Sequence, residues 1–183
     1  MQIFAAAFVA LVLTVSSAFA AETDSDTKID ELFSELQESE GSDARRIEGL
    51  IWGEWSKSGS AAMDLLLERG RKEIDAGDYV AAINHLTALT DHAPDFAEGW
   101  NSRATALFYA SRYGEAVDDI AKALALNPRH FGAMSGLAFI YEAMDRPKQA
   151  LAVMREVRKL NPHQEGIEET IRRLEKASGE ELL

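Results

Sequence analysis

The chain is expected to be all-α, a superhelical stack of antiparallel helix pairs ended by a C-terminal capping helix, and three observations predict it. Pro94, Pro128 and Pro162 are evenly spaced in a chain of 183 with only four prolines. Small residues follow the same interval: Gly70, Ala104 and Ala138 in one column, Ala82, Ala116 and Ala150 in another. So do large apolar ones, Leu66, Trp100 and Met134, then Leu86, Ile120 and Met154. Self-similarity at this period marks a stack of identical supersecondary units, each too small to bury its apolar face alone.

Residues 1–21 carry no charged side chain, and Ala18-Phe19-Ala20 follows an apolar run from Ile3 to Val15. That layout is a secretory signal over 1–20, with cleavage expected after Ala20 and a periplasmic or secreted product. Retained, Ile3 to Ala21 is long enough to anchor the chain in a bilayer. Without cysteine there is no residue to acylate, so no lipid anchor is expected. Residues 21–27 form a short acidic leader. Ile29, Leu32, Phe33 and Leu36 then recur at helical spacing, as do Ile47, Leu50, Ile51 and Trp55. Residues 28–60 are therefore expected to be a helix pair, either a divergent first repeat or an N-terminal cap.

Three regular units follow at 63–96, 97–130 and 131–164. Each contains two helices, a break between them and a proline-bearing turn that forbids one continuous helix. Gly77 is expected to close a helix in the left-handed conformation and Asp78 to cap the next. In the middle unit Ser111-Arg112-Tyr113-Gly114 is a weaker break. In the third, Asp145 is expected to cap a helix with Pro147 in its first turn. Asp95 and Glu98 are spaced as a capping box opening the second unit. Ile167, Ile171 and Leu174 give one apolar stripe on an otherwise charged segment, a capping helix over 165–177 before a frayed 178–183.

A net charge of −12 repels nucleic acid and anionic lipid at long range, so nucleic-acid binding is not expected. No cysteine nucleophile, Gly-x-Ser-x-Gly elbow, phosphate loop or zinc helix is present, and no cofactor is expected. His85 and His92 lack further ligands at a useful spacing, and His130 and His163 read as exposed turn residues, so no metal is expected. Acidic pairs such as Asp118-Asp119 read as solvated helix faces. Trp52, Trp55 and Trp100 lie in apolar stripes and read as core.

The columns resemble the tetratricopeptide repeat (TPR) family. The first unit matches it with Leu66, Gly70, Gly77-Asp78-Tyr79, Ala82, Leu86 and Pro94. The second supplies Trp100, Ala104, Tyr113, Ala116, Ile120, Ala123 and Pro128, and the third Met134, Leu137-Ala138, Tyr141, Ala150, Met154 and Pro162. The arrangement is also similar to small exported bacterial repeat proteins. The resemblance implies a non-catalytic scaffold whose concave face, lined by the first helix of each unit, holds a peptide or partner protein. Carried onto this sequence, that face comprises Arg71, Asn101, Thr105, Phe108, Tyr109, Ser135, Phe139 and Glu142. A family subtype clamps a C-terminal carboxylate with basic and amide side chains from successive first helices. Here those slots hold Leu67 and Arg71, then Asn101, then Gly132 and Gly136, an incomplete set. The alternatives are a homodimer formed through apolar surface near Trp52 and Trp55, or a membrane-tethered assembly factor if the signal is retained.

Overall fold

The computed structural model describes residues 27–180. The signal, the anchor alternative and nearly all of the leader lie outside the described residues, as do 181–183. Nine helices and no strand occur among the described residues. They are α1 (27–38), α2 (Gly41–Trp55), α3 (Ala61–Ala76), α4 (Tyr79–His92), α5 (Ala97–Tyr109), α6 (Tyr113–Leu126), α7 (Phe131–Ala143), α8 (Pro147–Leu160) and α9 (Ile167–Ser178). No helix among the described residues is long and apolar enough to cross a membrane. The fold is the expected one.

The pairs α3–α4, α5–α6 and α7–α8 each pack antiparallel and stack in order. The small-residue columns let them do so. A Cβ placed on Gly70 would lie 2.4 Å from Leu86 Cγ. Ala82, Ala116 and Ala150 are fully buried, and Ala104 and Ala138 nearly so. A side chain beyond a methyl group at these crossings would push the helices apart.

The breaks also repeat, down to the backbone. Gly77, Ser111 and Asp145 keep the interval of the prolines, all with positive φ (77°, 60° and 57°). Directly after each, a backbone N–H reaches back to the preceding helix: Asp78 to Glu73 O, Arg112 to Leu107 O and Arg146 to Tyr141 O, at 2.8–2.9 Å. This is a left-handed helix closure used three times, with glycine in only one copy. Asp78 caps α4 as expected, accepting from Ala81 N at 2.9 Å. Asp145 does not cap. It occupies the left-handed position itself, which makes Arg146 the N-cap, with Pro147 next. The box expected from Asp95 and Glu98 is not formed either, because Phe96 is the N-cap of α5 and its side chain caps nothing.

The helix α9 lays Ile167, Ile171 and Leu174 on the last repeat, all buried. Gly179 closes the helix at φ 74°, and Glu180 pairs with Arg155 at 2.9 Å.

The N-terminal pair departs most from expectation. Neither a first repeat nor an end cap, it packs across the stack. Leu32, Phe33 and Leu36 of α1 and Ile47 and Ile51 of α2 share one core with α7, α8 and α9. Gln37 donates to the carbonyls of Lys159 and Leu160 at the end of α8, and Asp30 pairs with Arg129 at 2.6 Å. Leu50, expected in the apolar stripe, points outward and is exposed.

Candidate functional site

The first helices of the three units, α3, α5 and α7, line the inner face, and α2 crosses it. Between α5, α7 and α2 lies a cavity of about 280 Å³. Six of the eight residues anticipated for the groove meet there: Asn101, Thr105, Phe108 and Tyr109 from α5, Ser135 and Phe139 from α7. Gly132 and Gly136, one helical turn apart, give α7 a low surface beneath it. Phe139 and Tyr109 are about half exposed, while Phe108 is partly buried against Tyr113, with ring centroids 5.7 Å apart. The Oγ of Ser135 accepts from Gln164 at 3.4 Å.

The two remaining residues lie elsewhere. Glu142 accepts two hydrogen bonds from Arg173 and so fastens α7 to α9. Arg71 lies in the adjoining recess, where it donates to Ser56 Oγ at 3.0 Å and to Glu98 Oε1 at 2.5 Å.

Glu98 organises that recess. Its carboxylate is almost wholly buried and is bonded by Arg71 of the first unit, by Asn101 and Ser102 of its own helix, and by His130, the N-cap of α7. His130 is fully buried. Its Nδ1 accepts from Ala133 N at 3.1 Å, capping α7, which leaves Nε2–H to donate to Glu98 Oε2 at 2.8 Å. Burial alone would raise the Glu98 carboxyl; the hydrogen bonds from His130 and Arg71 outweigh it and hold the group below the ordinary glutamate value.

The hairpin docks on this cluster. Trp55 stacks on the His130 ring with centroids 4.2 Å apart, and Trp52 meets the same ring edge-on at 5.4 Å. A Cβ on Gly132 would fall 2.2 Å from the Trp52 ring, so α7 admits that indole only because residue 132 is glycine. Both tryptophans pack against His130 and Phe131 and are only partly exposed, with Trp52 keeping one edge on the cavity.

Sequence reasoning missed, among others, Glu48, Trp52, Phe131 and Gln164, which line the cavity, and Glu98 and His130 beside it. The pair Gly132 and Gly136 was a usable signal, since two glycines one turn apart on an inner face invite a bulky visitor. Among the described residues no group of three His, Asp or Glu side chains could hold a metal ion.

Comparison with known proteins agrees with this architecture. Two tetratricopeptide repeat family models match, at residues 67–128 and 107–174. A TPR repeat-containing protein of Rhizobium etli is 40% identical over 114 residues, covering 62% of this chain and 56% of that one. The small glutamine-rich tetratricopeptide repeat-containing protein 2 of Saccharomyces cerevisiae is 30% identical over 63% of this chain and 33% of its own length. The chain thus spans about half or less of the curated relatives it matches. Among solved structures, the first TPR of Spaghetti (RPAP3), bound to an HSP90 peptide, superposes with a TM-score of 0.63 at 26% identity, covering 66% of this chain and 95% of that one. MamA shares the fold over 91% of this chain and 82% of its own, with a TM-score of 0.60 at 19% identity. Residues 67–174, which the two models jointly match, are therefore tetratricopeptide repeats.

Proposed function

We propose that this protein is a non-catalytic binding module that holds a peptide-like segment of a partner protein on its inner face, at the cavity between α5, α7 and α2. The observation that carries this reading is a half-open apolar cavity edged by exposed Phe139 and Tyr109. A stack held rigid by its repeat crossings presents those rings without having to order them on binding, which lowers the entropic cost of association. The first TPR of Spaghetti, bound to an HSP90 peptide, supports a peptide as the class of ligand.

The module is proposed to act outside the cytoplasm once residues 1–20 are removed. Mass spectrometry of the native N-terminus tests this, with a start at Ala21 expected and a retained Met1 pointing to the anchored form. Photocrosslinking in the native host from position 139 tests the face. Partner crosslinks are expected there and not from position 126, an exposed leucine at the end of α6. Equal yields from both positions would overturn the assignment.

A further inference from the structure

We infer that the segment received by the cavity is basic as well as apolar, a large hydrophobic side chain with a lysine or arginine beside it. This rests on the groove reading above and specifies its ligand. Of the residues lining the cavity, Glu48 is the only charged one. It is half-buried, and among the described residues it makes no ion pair or hydrogen bond. Its neighbour one turn away, Arg45, is directed to Glu165 instead, at 3.8 Å. A carboxylate partly withdrawn from water at the rim of an apolar recess gains most from a cation brought in by a ligand, because the surrounding low dielectric strengthens the pair. The net charge of −12 attracts the same class of segment at long range.

The opposite ligand, an acidic chain end, finds no receptor. Arg71 and Asn101, the inner-face groups able to bind a carboxylate, already bind Glu98. In effect the protein supplies its own carboxylate to that position. A cavity of about 280 Å³ accommodates a large side chain and its neighbours, and lies at the lower end of small-molecule sites. The apolar contact would come from Phe139, Tyr109 and Trp52, and Gly136 leaves the floor low. A Cβ there would meet only Ile120 Cδ1, at 3.7 Å.

The test uses the full chain and two labelled synthetic peptides with the same central Leu-Phe, one flanked by lysines and the other by glutamates, titrated by fluorescence anisotropy at low salt. The lysine peptide is expected to bind about tenfold tighter or more. Glu48→Gln should remove most of that preference, whereas Glu38→Gln, an equal charge change on the exposed side of α1, should leave it. Gly136→Leu should abolish binding of the lysine peptide. Gly136→Ala, which fits without a clash, should weaken it while circular dichroism stays helical. If the two peptides bind equally, or Glu48→Gln leaves the preference intact, the charge inference falls while the groove stands. If neither binds, or Gly136→Leu and Gly136→Ala both bind as wild type does, the groove reading falls with it.

Discussion

Within the stack, helices meet where a small side chain admits a neighbour, as Gly70 admits Leu86, and the arrangement recurs once in every repeat. The N-terminal hairpin uses such a close approach once, where Gly132 admits Trp52 and a buried histidine lies against Trp55. Both regions use the same device, a missing side chain opposite a large one. In the stack it is periodic, so each crossing is backed by equivalent crossings on either side. At the hairpin it is solitary and backed by a polar cluster. Periodic contacts thus set the shape of the scaffold, and the solitary one decides which part of the inner face is left for a ligand.

The change that should damage both regions most is Glu98→Leu, because Glu98 ties α3 to α5 and holds the histidine that caps α7 beneath the hairpin. Removing it leaves His130 buried with an unpaired N–H and Arg71 without its carboxylate. We expect a loss of about 3 kcal/mol by denaturant titration, the low end for a buried pair because Arg71 is partly open to water. The same group gives an acid response. Its folded carboxyl titrates below an unfolded one, so its stabilisation is complete above the ordinary value of 4.5 and is lost as pH falls through the lower folded value. Tryptophan emission should shift in that acidic range in the wild type, and Glu98→Gln should flatten the response.

Ala116→Leu should break the stack alone. Overpacking a fully buried crossing costs about 1–3 kcal/mol and should lower the unfolding midpoint of the whole helical signal. Gly132→Ala should separate the two regions. The new methyl group evicts Trp52, yet alanine favours helix over glycine by about 1 kcal/mol, so global stability should change little. Hydrogen exchange is expected to speed up in residues 27–55 and stay slow in α4 and α6. Uniform acceleration would show the hairpin to be integral to the stack. The smallest effect is a gain: Ser111→Gly, relieving a left-handed serine at the middle break, should stabilise the stack by about 0.5–1 kcal/mol.

The repeats were legible because their signal is written three times, and local errors in one copy are corrected by the others. Left-handed closures at 77, 111 and 145 follow the same interval, although only the first shows glycine. Errors arose where a local pattern competed with a distant partner. Glu98 stands one turn after Asp95, as a capping box would have it, but its partners are Arg71 and His130, 27 and 32 residues away. No local rule carries that pairing. His130 follows a turn proline and reads as exposed, yet the hairpin arriving from far upstream covers it. Six of the eight residues anticipated for the groove line one cavity because the repeat geometry places them on facing helices. Glu142 was lost to Arg173 because the charge on α9 could not be assigned a direction from its stripe alone.

The bond between Glu98 and His130 also limits how this array can grow. Repeat proteins lengthen by duplicating a unit, and most junctions here would tolerate a copy because every crossing resembles the next. A repeat spliced between these two side chains, inside 97–130, would carry the imidazole a full unit away, stranding both polar groups and the indoles resting on them. A copy that keeps 97–130 whole preserves the bond, so growth is confined to the edges of that unit.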